Sequence, residues 1–194
     1  KVLARPAVLG ALGTTVLGSA AMFSVYTYIA PVLTNITHAS AGFITAMLVV
    51  IGIGFTIGNA IGGKLADRSL DGSLIAFLIA LALVMVALPV LAGSHVGATI
   101  AMLLWGAAAF AVVPPVQMRV MQAAHEAPGL ASSVNIGAFN LGNALGAAAG
   151  GAVISAGLGY VAVSMMGAVF AASGLALVLL GRYQARRLTA VVEA

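Results

Sequence analysis

The 194-residue chain contains no cysteine. Disulfides, thiolate chemistry and cysteine-based metal sites are therefore excluded. Charge is nearly as scarce, with 8 Lys or Arg and 4 Asp or Glu. An ordinary soluble domain is about 25% charged, whereas this chain is 6% charged, 62% hydrophobic and has a mean hydropathy of +1.17. No single soluble core hides that much apolar surface, so the solvent for most of the chain is lipid. No histidine, carboxylate, lysine or arginine lies within the long apolar stretches. A Ser/His/Asp hydrolase or a metallohydrolase needs such groups to converge, so the expectation is a non-enzyme with no cofactor and no metal. Proton relays also use ionisable groups, which places any proton-binding carboxylate outside this chain. No basic patch is interleaved with aromatics, so nucleic acid is not an expected partner.

The charges that are present organise the chain. Residues 6–63, 72–118 and 127–181 carry none. A bilayer span takes about 20 apolar residues, so each block suits two helices. Each block also has a central break: Pro31 to Ser40, then Gly93-Ser94-His95, then Gly157-Leu158-Gly159. These features predict an all-α membrane fold of six transmembrane helices in three hairpins, at about 7–33, 42–64, 73–92, 97–118, 129–155 and 160–181. Lipid leaves no partner for free backbone groups, and no alternating strands of barrel type occur. Residues 1–194 then form one bundle with a polar tail over 182–194, which could continue the last helix.

All eight cations fall on one side of this arrangement: Lys1, Arg5, Lys64, Arg68, Arg119, Arg182, Arg186 and Arg187. The positive-inside rule makes that side cytoplasmic, together with both termini. The chain starts at Lys1 without a methionine and shows no signal peptide, as expected of a trimmed piece. Proline is expected to end the first helix at Pro31. The pair Pro114-Pro115 is expected to end the fourth, with a bending point as the alternative.

The stretch GNALGAAAGG, residues 142–151, sets Gly142, Gly146 and Gly150 four apart, with Gly151 beside the last. Glycine costs about 1 kcal/mol against alanine in a water-exposed helix, but in lipid small residues let helices approach closely. These four glycines are read as a packing spine. Asn135, Phe139 and Asn143 share a face, with Asn140 alongside. An amide facing lipid unpaired costs several kcal/mol, so these side chains face either a neighbouring helix or a wet cavity. Ser19, Met22 and Tyr26 form a similar stripe on the first helix, and Trp105 falls in the middle of the fourth. Together with the amides they are the candidate substrate wall, suited to an uncharged small molecule. Inter-helix hydrogen bonding is the competing reading for the amides, and an interfacial belt for Tyr26 and Tyr28. Asn59 and Gln117 are packing amides or gate contacts.

The segment GGKLADR, Gly62 to Arg68, resembles the G-x-L-A-D-R signature of the major facilitator superfamily, matched by Gly63, Leu65, Ala66, Asp67 and Arg68. SLDGS follows instead of a glycine and basic residues, which resembles the weaker second copy in the C-terminal half of such transporters. GAAAGG, Gly146 to Gly151, is similar to the antiporter signature G-P-x-x-G-G with Ala147 at the proline position, so only its packing carries over. VYTYIAPVL (25–33) and SVNIGAFNLGNALGAAAGG (133–151) resemble the arabinose-efflux-like and chloramphenicol-resistance-like branch. The resemblance implies half of a twelve-helix fold, itself an inverted pair of three helices. It implies a proton-coupled efflux transporter of the bacterial inner membrane, exporting a sugar or a small neutral or amphipathic drug by alternating access. Its partners would be the lipid bilayer, an N-terminal six-helix half, protons and the substrate. Asp67 and Arg68 would act at the cytoplasmic gate. A self-assembling membrane scaffold and a homodimeric six-helix transporter are the alternatives.

Overall fold

The computed structural model describes residues 2–192, with side chains through residue 185. Lys1, the side chains of Arg186 and Arg187, and the last two residues of the expected tail lie outside the described residues. The order is a 3-10 turn Val2–Ala4, then α1 (Pro6–Tyr26), α2 (Ile29–Val32), a π-turn Leu33–Thr37, α3 (Ala41–Arg68), α4 (Leu70–Leu91), α5 (His95–Ala111), α6 (Val113–Ala123), α7 (Pro128–Ser155) and α8 (Val161–Val192). Among the described residues there is no strand. Five helical stretches are long and apolar enough to cross a membrane: Pro6–Tyr26, Ala41–Arg68, Leu70–Leu91, His95–Ala123 and Val161–Ala185. At 28 residues α7 is equally long, but its serines and asparagines keep it off that list.

Local chemistry explains most helix starts. Ser40, Ser69 and Ser94 cap α3, α4 and α5, each accepting a hydrogen bond from a backbone N–H three residues on. Pro6 and Pro128 open α1 and α7, where a missing N–H costs nothing.

The prolines act differently from expectation in two places. Pro31 does not end the first helix. The break falls at Thr27 and Tyr28, and Pro31 lies within α2. A proline cannot donate to the carbonyl four residues back and its ring crowds that carbonyl, so the fault appears at Thr27. The same rule corrects the fourth span. Pro114 and Pro115 do not end it; they sit in the first turn of α6, which runs on to Ala123. The helix gives way at Val112, just past the carbonyls of Phe110 and Ala111 that the two prolines cannot use. The second helix also runs four residues further than expected, through Arg68, and α8 continues past 181.

The packing repeats itself. α1 packs on α7 and α8, α5 packs on α3 and α4, and α4 packs on α8. Exchanging the first three spans with the last three carries the two α1 pairs onto the two α5 pairs and α4–α8 onto itself, as a pair of repeated three-helix units requires. The glycines follow the same rule. A Cβ on Gly142 or Gly146 would strike the α1 backbone at Val16 or Ala20, and one on Gly54, Gly58 or Gly62 would strike the α5 backbone from Leu103 to Ala111. The second stripe has the same spacing of four, and close helix approach explains both.

The two ends of the bundle differ chemically. At one end Asp71 pairs with Arg119 (2.9 Å) and Arg182 (3.5 Å), and Arg5 pairs with Glu126 (2.9 Å). At the other end the Thr37 hydroxyl donates to the Ala92 carbonyl (2.7 Å), and Phe43 stacks edge-on with His95.

Candidate substrate wall

The wall is built from α1, α3, α5, α6 and α7. Five aromatic rings and one indole connect across it. Phe139 of α7 meets Phe23 of α1 edge-on with centroids 6.1 Å apart, and Phe23 leans on Tyr26 at 5.4 Å. Tyr26 stacks on Trp105 of α5 at 6.3 Å and approaches Phe55 of α3 at 6.1 Å. Phe55 touches Trp105 at 6.0 Å and stacks on Phe110 at 3.9 Å. All but the closer Phe55–Phe110 stack lie within the range where aromatic quadrupoles attract.

Trp105 is fully buried and Tyr26 is 42% exposed above it. The indole Nε1 of Trp105 has no hydrogen-bond partner among the described residues. A buried donor left unpaired costs about 1–3 kcal/mol, which makes it a polar group waiting for an acceptor. The Tyr26 ring packs on Phe23, Phe55 and Trp105 and keeps the rest of its surface exposed. Tyr28 lies against Gly150 and Gly151 and donates its hydroxyl to the Ala147 carbonyl at 2.8 Å.

The polar candidates on α1 and α7 divide into two groups. Ser19 is buried; its hydroxyl is shared between the Phe139 carbonyl and the Asn143 amide oxygen. Asn135 is buried, accepts from the Thr15 hydroxyl at 2.7 Å and donates to Gln117 of α6. Gln117 in turn donates to Ser132 at 2.9 Å. These groups therefore form a hydrogen-bonded chain joining α1, α6 and α7. Asn140 belongs to neither the chain nor the buried core: it is exposed, and no hydrogen bond is formed by its amide among the described residues. Met22 is buried behind the ring face.

A cleft of about 170 Å³ opens between α6 and α7, lined by Val113, Val116, Gln117, Asn135, Ile136 and Phe139. Its surface is almost wholly apolar, because the two amides turn their polar atoms to each other and to neighbouring helices. Phe139 belongs to both the cleft and the ring face.

The gate candidates Asp67 and Arg68 are exposed at the end of α3, and neither forms an ion pair among the described residues. Asp71, at the start of α4, holds that helix to α6 and α8. Sequence reasoning missed Phe23, Phe55 and Phe110. Their signal was available only as pairs across helices, which spacing along one helix does not show.

The Major Facilitator Superfamily profile matches residues 1–147. The chain is 68% identical over 178 residues to the inner membrane transport protein YdhP of Escherichia coli K12, covering 92% of this chain and 45% of that protein. It is 34% identical over 170 residues to the uncharacterized MFS-type transporter YfhI of Bacillus subtilis, covering 88% of this chain and 43% of that protein. It is 28% identical over 170 residues to a probable sugar efflux transporter of Mannheimia succiniciproducens, covering 85% and 42%. The chain thus spans less than half the length of these relatives. With a family match over most of its length and an all-helical membrane architecture of paired three-helix units, the chain belongs to the major facilitator superfamily.

Proposed function

We propose that this chain is the C-terminal six-helix half of a proton-coupled efflux transporter of the bacterial inner membrane, with both termini cytoplasmic. In this reading two bundles rock about a midplane site, and this half supplies an uncharged wall. The observation that carries it is a pair of exposed faces. Along α7, Gly129, Ser133, Gly137, Asn140, Ala144 and Ala148 are all exposed, three or four residues apart. Along α3, Gly52, Thr56 and Asn59 are exposed on one face with Thr45 further along it, and exposed Leu48 and Val49 lie between Thr45 and Gly52. Lipid-facing helices favour large apolar side chains, whereas small and polar faces suit another helix or water. Two such faces on either side of the ring-lined wall support a second bundle closing over it.

The proton-binding group would then lie on that second bundle, because no ionisable residue falls within the apolar stretches here. Asp67 and Arg68, exposed at the cytoplasmic end, would meet the other half when the gate closes. Tyr26, Phe139 and Asn140 would face the solute, with Trp105 buried beneath Tyr26 and Met22 behind them. Ser19, Asn135 and Asn143 would hold the helices that carry it.

The test is native mass spectrometry of the detergent-purified protein, expressed with any coding sequence continuous with this chain. A mass that includes a second six-helix unit, followed by proton-driven export from inverted vesicles, is the expected result. A stable homodimer of this chain alone would overturn the half-transporter reading.

A further inference from the structure

We infer that this wall takes an apolar, ring-bearing solute with few hydrogen-bonding groups, and not a polyol. The inference rests on the transporter reading of the same site and narrows its substrate class. A sugar brings several hydroxyls, each a donor with two acceptor positions. Each must find a partner when it leaves water. The polar side chains that join α1, α6 and α7 beside the rings are already engaged. The Ser19 hydroxyl is held by the Phe139 carbonyl and Asn143. The Asn135 amide is held by Thr15 and Gln117, and Gln117 by Ser132. Releasing any of them for a solute breaks a contact between helices.

What remains free is rings. The face from Phe139 through Phe23 and Tyr26 to Phe55 and Phe110 is continuous. The cleft below Phe139 holds about 170 Å³ and is almost entirely apolar. An apolar cavity of about 150 Å³ takes a benzene-sized ring. The polar handles beside the rings are few: the Tyr26 hydroxyl and the Asn140 amide, with the unpartnered Trp105 indole N–H buried beneath the Tyr26 ring. That set fits a flat solute with one or two acceptors.

The test uses N-phenyl-1-naphthylamine as the neutral aromatic probe and arabinose as the polyol, on the purified protein with any continuous coding sequence. Trp105 is the chain's one tryptophan, so energy transfer from it to the probe reports proximity. The expected result is saturable probe binding, with transfer diminished in Trp105→Phe and no displacement by excess arabinose. Phe139→Ala should weaken binding about tenfold, and Tyr28→Phe, outside the wall, should not. Where Phe139→Ala fails to give a monodisperse protein, Ile136→Trp serves instead: it fills the cleft from an exposed position and should block the probe. Displacement by arabinose that Asn143→Ala abolishes would overturn the inference, as would unchanged probe affinity in both wall variants. Movement across proteoliposomes separates the two readings. Probe bound but never moved defeats the transporter reading alone; arabinose moved and probe ignored defeats the solute class alone.

Discussion

Gly58 of α3 lies against the carbonyl of Ala107 on α5 so closely that a single methyl group on the glycine would overlap it. All three nearest atoms to that Cβ are Ala107 backbone, which cannot swing aside as a side chain can. Gly58→Ala is therefore expected to destabilise the bundle by at least about 2 kcal/mol, as overpacking does in a filled interior. Gly10→Ala, where nothing lies within 4 Å, should be neutral. Thermal unfolding in detergent compares the two directly.

The chain Thr15–Asn135–Gln117–Ser132 ties α1 and α6 to α7. Asn135→Ala removes its centre and leaves Gln117 without a donor. Inter-helix hydrogen bonds in membranes average about 0.6 kcal/mol and reach about 1.7. A loss of about 1 kcal/mol is expected in denaturant titration, while Asn59→Ala on the exposed row of α3 should cost this bundle nothing.

Asp71 sits in the first turn of α4 and is held by Arg119 and Arg182. The carboxylate is favoured there by the helix dipole as well as by its partners. Both pairs are partly exposed, so a double-mutant cycle between Asp71→Asn and Arg119→Ala should give a coupling of about 0.5–1 kcal/mol that shrinks with added salt. A coupling unchanged by salt would point to packing rather than charge.

Much of this architecture was legible in the chain. Charge-free blocks with central breaks announced the three hairpins. The glycine spine of α7 was visible because lipid inverts the cost of glycine. The matching stripe Gly54, Gly58 and Gly62 has the same spacing, but it sits among isoleucines and phenylalanines that mask it. The proline faults were misplaced because the damage falls at the carbonyl four residues earlier, not at the ring. In the wall, depth and residue type correctly set Trp105 and Ser19 in the interior. Which amides bond to a neighbouring helix and which remain free depends on what the next helix offers. Thr15 and Gln117 decide that for Asn135, and Asn140 has no such neighbour. Pairing across helices is the information a single periodic stripe lacks.

Glu126 lies in the turn between α6 and α7 and accepts two hydrogen bonds from Arg5. That hydrogen bonding, with the guanidinium charge second, lowers its pKa below the ordinary 4.5. A depressed carboxyl contributes stability above its unfolded value and loses it as pH falls through the folded one. Protection of the α6–α7 turn amides, the ratio of free-peptide to observed exchange, should thus hold at neutral pH and fall below about 4.5. Arg5→Ala should remove that acid sensitivity. Because the pair lies at the surface, the global melt should hardly move.

Asn140 gives the sharpest separation between wall and scaffold. It lies one residue from Phe139 and four from Ile136, both of which line the cleft. Its amide is exposed and contributes no hydrogen bond to this bundle among the described residues. Leucine at that position keeps the helix and removes only the amide, so Asn140→Leu should leave expression and the melting temperature unchanged. If the amide faces the solute, initial transport rates should fall about tenfold, the effect of one lost hydrogen bond to a bound molecule. Normal transport at normal expression would assign Asn140 to the face between the two bundles instead. The companion measurement, association of the bundles by native mass spectrometry, should then show the loss that transport did not.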